Sequence, residues 1–308
     1  MRLCRQISTK PPIPTVSYTQ PLGLHYKKTE NMEPLSIIAI SAAVGGAAGK
    51  FVEKAWDSGE KWIQSYFKDH KEVVRQKGTD NTMDFLNELA QRVKQLEESK
   101  QISHEKIESA QDHPDFSTML QKALLTSAQT DSKDKHIILA RLVSERLKSE
   151  PETILALGSK MACDVISYIT VNQLMILGLA VNFYGIRPNP YPPMGVNESN
   201  FQVWMDNWLI RRLKPYQTIN LREIDIVHLE SLSCLKVNTF IGRGLNEMFK
   251  KDNLVYDFEK MQDIQLRDSM KKSWEVLQKI DLTTVGQIIG VSVSDLLSKT
   301  NTTFDGWD

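Results

Sequence analysis

The side chains of this chain with the spacing for chemistry are few. Asp225 and His228 lie three residues apart, which on a helix puts a carboxylate beside an imidazole. Such a pair can relay a proton, although a surface hydrogen bond is the commoner outcome. Asp131, Asp134 and His136 gather oxygen and nitrogen ligands in one short segment. They lack the alternating oxygens and closing glutamate of a calcium loop, so a solvated loop is the default reading. Gly45, Gly46 and Gly49 precede Lys50, but no strand leads into them and neither Ser nor Thr follows the lysine. A phosphate-cradling loop needs both. None of the six histidines pairs at i, i+4 around a glutamate, as a zinc protease helix requires. The sequence therefore reads as that of a non-enzyme, with no catalytic, metal or cofactor residues to assign.

Two groups suit binding instead. Residues 35–49 carry no charge and no large polar side chain. Ser41, Gly45 and Gly49 recur every fourth residue, so one continuous helix would line them up as a smooth stripe. Small residues at that spacing let two helix backbones approach closely. Trp56 and Trp62 follow among lysines and suit a membrane interface or a core equally. The apolar run falls short of the roughly 20 residues that span a bilayer. A buried soluble helix and a helix that lies on a membrane or on another copy both stay open. The second group is Trp204 and Trp208 beside Arg211, Arg212 and Lys214, near a proline-rich loop at 187–195. It is a candidate surface for a protein partner or anion, with a basic helix end complementing its own dipole as the plainer alternative.

The elements that position these groups read as helices. Leu86, Leu89, Val93 and Leu96 repeat at helical spacing. Similar faces follow through Met119, Leu120 and Leu124, then through Ile138, Leu142 and Leu147. Residues 77–82 (Lys-Gly-Thr-Asp-Asn-Thr) predict a break. Thr170 with Gln173, Ser199 with Gln202 and Asn220 with Glu223 have capping-box spacing. Strand-like alternation is confined to 236–241 and 279–282, and 243–279 reads as largely helical. The expected fold is all-α: a multi-helix bundle with a C-terminal winged-helix-like module and at most a small β-ribbon.

Five segments are expected. Residues 1–31 hold Pro11, Pro12, Pro14 and Pro21, and Arg2, Arg5, Lys10, Lys27 and Lys28 against Glu30 alone. They read as a disordered tail or an upstream extension before a start at Met32; the prolines argue against a transit-peptide helix. A Gly/Ala-rich helical segment covers 32–76, a central helical domain 77–169, the winged-helix-like domain 170–300, and a loose tail 301–308. Lys and Arg balance Asp and Glu at 38 each, so no global field attracts nucleic acid. Cys4, Cys163 and Cys234 are far apart, which indicates a reducing compartment rather than a disulfide framework.

Three stretches together resemble a known family: Phe51 to Lys54 after the Gly/Ala-rich run; Met119 to Ala123 with Asp134 to Val143; and His228 to Val237 with Leu282 to Gly286. They are similar to the Abi-alpha (abortive-infection alpha) bacterial proteins and related uncharacterised families, over about 32–290. The chain departs from that pattern at Ala140 and Arg141, where a tryptophan is usual, and at Ser233 and Cys234. The resemblance implies a cytoplasmic bacterial protein tied to phage defence, peripheral to the inner membrane if its N-terminal helix meets lipid. It would act as a homo-oligomer, with a phage or host protein as trigger. DNA binding is not expected. The helix at 221–235 sets Arg222 against Glu223, Asp225 and Glu230, whereas phosphate neutralisation requires Lys and Arg.

Overall fold

The computed structural model describes residues 15–17, 36–189, 197–238, 242–251 and 253–304. After strand β1 (Thr15–Ser17) come helices α1 (Ile37–Val44), α2 (Gly46–Tyr66), α3 (Glu72–Glu98), α4 (His104–Ala110), α5 (Pro114–Ala128), α6 (Lys133–Lys148), α7 (Ile154–Val165) and α8 (Val171–Tyr184). The second half holds β2 (Arg187–Asn189), α9 (Glu198–Leu213), α10 (Glu223–Ser231), β3 (Leu235–Val237), β4 (Lys250–Lys251) and β5 (Leu254–Val255). It closes with α11 (Ile264–Leu277), β6 (Ile280–Leu282), α12 (Thr284–Ser298) and β7 (Thr302–Thr303). The all-α expectation holds, and β3 pairs antiparallel with β6 as the small ribbon.

Polar caps start most of these helices. Ser36, Ser103, Ser132, Thr153, Thr170, Asn197, Asp263 and Thr283 each accept a backbone N–H of the first turn. Each such cap contributes about 1 kcal/mol. Of the three expected capping boxes only Thr170 with Gln173 forms. Gln202 turns to the backbone of Asp257 instead, and Arg222 rather than Asn220 precedes α10.

One core runs from Ile40 to Phe304. α6 and α8 lie at its centre, and α12 packs on α6, α7 and α8 together. This packing crosses the boundary expected at 169/170. α8 is buried on nearly every side, which suits its almost wholly apolar sequence.

Several local expectations change. The break at 77–82 is absent: α3 passes straight through. Gly78 supplies room there, because a Cβ would lie 2.9 Å from the Phe67 ring, and Thr82 Oγ1 donates to the Gly78 carbonyl. Residues 243–279 are helical only over α11 and two short 3-10 turns, with the β4–β5 hairpin between. The tail expected at 301–308 contains β7, and Phe304 is buried. Within 1–31, Thr15–Ser17 form β1 in a sheet of order β2-β1-β7. Met32 lies outside the described residues.

Candidate functional site

The uncharged run is two helices, not one. Gly45 has φ +67, in the left-handed region, and ends α1. Its N–H caps the Ser41 carbonyl, and α2 departs from Gly46, which also has positive φ. The chain then folds back so that α1 packs on α2 and α3. Closeness is achieved at Gly49, where a Cβ would sit 2.8 Å from the Ser41 carbonyl oxygen. Ser41 and Gly49 therefore meet within one chain. The single stripe of Ser41, Gly45 and Gly49 expected from spacing does not exist, because a left-handed glycine interrupts it.

Trp56 is buried, and Trp62 is half-buried against the core. α2 offers its amphipathic apolar face inward, so neither ring forms an exposed belt. What remains open is the outer face of α1. Ile38 is 73% exposed, and Ala39, Ala42 and Ala43 are exposed beside it. Ile40 is inserted in the core and anchors the helix. A helix with no charged residue thus turns an apolar, mostly small-residue face outward. Among the described residues no helix is long and apolar enough to cross a membrane.

The second candidate group separates in a different way. Trp208 is buried and Trp204 half-buried against the core; Arg211 is exposed. Lys214 pairs with Asp263 at 2.5 Å. Arg212 is 1% exposed and belongs to the interior. Its guanidinium lies 5.6 Å from the Trp208 ring and donates to Asn182 Oδ1 at 2.7 Å, Ser294 Oγ at 2.8 Å and Thr300 Oγ1 at 3.1 Å. The basic surface patch expected from spacing is dispersed: adjacent helical residues point about 100° apart, and here that turns Arg211 to solvent and Arg212 into the core. Residues 190–196 of the proline-rich loop lie outside the described residues.

Arg212 leads to a network that spacing did not reveal. Asp295 on α12 is buried between Arg141, at 2.5 Å, and Arg212, at 3.8 Å. Its carboxylate also accepts from the Thr300 hydroxyl, the Thr302 hydroxyl and the Thr302 N–H. Burial alone would raise this carboxyl; the two arginines overcome it and hold the group below the usual carboxylate range. Glu145, also buried, is held down in the same way by Lys148, Arg141 and Arg92. The only sequence signal was a lone acid in the apolar stretch 288–297, and its partners come from distant helices.

The groups with the spacing for chemistry are occupied structurally. Asp225 is buried and holds Arg222, Asn172 and Gln173, and the Arg222 guanidinium holds its carboxyl low. His228 reaches Gln173 Oε1 at 3.1 Å rather than Asp225. Asp131 pairs with Lys77. His136 is buried, with Nε2 at 2.9 Å from the Thr130 carbonyl and 3.3 Å from that of Ser127. Burial pushes the Cys163 and Cys234 thiols up to about 12, far from a reactive thiolate.

Two of these buried groups contribute to the acid side of the stability profile. Burial lowers the His136 pKa below its ordinary 6.5, so the unfolded chain takes up that proton first. The stability contributed by keeping His136 neutral is complete above pH 6.5 and is lost as the pH falls below it toward the lowered folded value. A second loss follows below 3.8, where unfolded carboxylates protonate before Asp295 does. Urea unfolding over a descending pH series checks this; a midpoint unchanged between neutral pH and the carboxylate range contradicts the His136 contribution.

A family model, that of an uncharacterised "-like" family, matches residues 49–272. The chain belongs to this family. The matched span runs from Gly49 in α2 into α11 and leaves α1 and the whole of α12 outside it. No curated protein and no solved structure matches the chain.

Proposed function

We propose that this protein is a non-catalytic helical effector or sensor of abortive-infection type that works by self-association through α1. The observation that carries the reading is the outward face of α1: Ile38, Ala39, Ala42 and Ala43 lie exposed on a helix without a single charge. Small residues at i, i+4, as Ala39 and Ala43 are, suit close helix–helix approach. Contact with a lipid surface is the second use of the same face, and it is the weaker one. Membrane-interface helices present bulky aromatics and lysines with the apolar face, and here Trp56 points inward. The non-catalytic reading is supported by where the reactive side chains go: His136, Asp225 and Asp295 are all held in buried structural bonds. The phage-defence context rests on the resemblance of the residues quoted above.

The test is Ile38→Glu with Ala42→Glu in the full chain, read by solution mass and by co-sedimentation with anionic vesicles. Both positions are exposed, so the melting temperature stays that of the parent. The parent forms an oligomer and the variant is monomeric. A parent that stays monomeric at high concentration and ignores vesicles sinks the reading. Gly45→Leu is a poorer probe, because a bulky residue at φ +67 strains the α1–α2 corner itself.

A further inference from the structure

α7 is apolar on both sides. Leu155, Ala156, Ala162 and Cys163 are buried, and the helix packs inward on α5, α6 and α12. Its outer side carries Ile154, Leu157 and Met161, which are 53%, 43% and 52% exposed. The 3-10 turn that follows adds Tyr168, 66% exposed. α1 packs instead on α2 and α3, so this is a separate face.

The spacing of the outer residues is symmetric. Ile154, Leu157, Met161, Val165 and Tyr168 are separated by 3, 4, 4 and 3 residues. Alternating steps of three and four are the repeat with which one helix seam packs on another. Val165 is half-buried against the core and closes the interval between Met161 and Tyr168. Residues three apart eclipse in a 3-10 turn, so Tyr168 continues the line of Val165. The order 3-4-4-3 reads the same in both directions. Two copies set antiparallel about a two-fold axis at Met161 therefore match seam to seam. Met161 meets Met161, Leu157 meets Val165, and Ile154 meets Tyr168. One flank matches as well. Lys160 and Asp164 share a helix side, and reversal sets Lys160 of each copy beside Asp164 of the other. Within its own chain Asp164 also pairs with Lys122 at 2.6 Å.

The area suits a modest contact. At those exposures Ile154, Leu157, Met161 and Tyr168 leave roughly 450 Å² open, within the range of the largest apolar patch on a typical monomer. Two such patches face to face remove about 900 Å² from water, which a polar rim raises to the lower end of stable interfaces. The pair is weak alone. It fills at high concentration, or where another contact already holds two copies together.

We propose that the outer face of α7 is a two-fold contact between two copies of this chain, centred on Met161. A contact of this kind uses the same patch on both copies and closes as a pair. It stands on α7 and goes beyond self-association through α1.

The test uses the full chain with Cys4→Ser and Met161→Cys, mildly oxidised over a concentration series. A residue on the two-fold axis lies within disulfide reach of its own copy. Ser167→Cys in the same background is the control. Ser167 is exposed, but it is six residues from the axis, so its two copies stand about 18 Å apart. The expected result is a covalent dimer from Met161→Cys at a yield several-fold above that from Ser167→Cys. Adding Leu157→Glu lowers the Met161→Cys yield several-fold and leaves the melting temperature unchanged, since Leu157 is exposed. A Met161→Cys yield no higher than that of Ser167→Cys overturns the proposal, as does a yield unaffected by Leu157→Glu. A Met161→Cys chain that links to a different protein in a cell extract but never to itself also overturns it, and assigns the face to a foreign helix. The Met161→Cys link persists at lower yield when Ile38→Glu and Ala42→Glu are added, so failure of the α1 contact and failure of the α7 contact are read separately.

Discussion

Asp295→Asn lowers the unfolding free energy by about 3–5 kcal/mol, the range for removing one member of a buried ion pair. The amide keeps the shape and part of the hydrogen bonding but removes the carboxylate that lies between Arg141 and Arg212. Both guanidinium groups are buried, at 4% and 1% exposure, so neither recovers water. Loss is propagated to β7, because Thr302 is held by Asp295 through its N–H and its hydroxyl. Asp263→Asn is the matched control. Its partner Lys214 is exposed, and an asparagine still caps α11, so that change costs less than about 1 kcal/mol. Chemical unfolding of the two variants side by side checks the contrast; equal midpoints contradict it.

Gly286→Ala is the second severe change, with an expected cost of about 3 kcal/mol or more from overpacking. A Cβ at Gly286 would lie 1.8 Å from the Cys234 carbonyl oxygen. The obstacle is backbone, so no rotamer change relieves it. That carbonyl is also fixed in place, since it accepts from the Thr283 N–H and the Thr283 hydroxyl. The alanine forces the start of α12 away from the β3 end of the ribbon. Thermal unfolding reads the effect. Gly242→Ala serves as the reference, because the nearest atom to its Cβ position is the Gln278 side-chain oxygen at 3.6 Å. A Gly286→Ala protein that melts with the Gly242→Ala reference contradicts the packing described for α12.

Much of the fold was legible in the sequence because helices announce themselves locally. The spacing of Leu86, Leu89, Val93 and Leu96 belongs to α3, and all four are buried. Thr170 and Gln173 form the capping box their spacing predicts. The ribbon of β3 with β6 stands where alternation was seen. The errors arise where tertiary contacts override local signals. Residues 77–82 look like a turn, yet Phe67 packs on Gly78 and the helix continues. Residues 35–49 look like one helix, because glycine spacing does not reveal which glycine takes positive φ. Of the candidate N-terminal group, the spacing did not reveal which residues face outward. The N-terminal run does expose apolar residues, but the stripe of Ser41 and Gly49 turns inward while Ile38 and the alanines turn outward. Arg212 was legible as a basic residue near two tryptophans; that it is buried depends on Asn182 and Ser294, which are distant in sequence.

Self-association through the outer face of α1 is read by solution mass across a concentration series. The full chain is expected to self-associate as concentration rises, and Ile38→Glu with Ala42→Glu to shift the same series toward monomer at an unchanged melting temperature. A parent and a variant with superimposable mass profiles would contradict it.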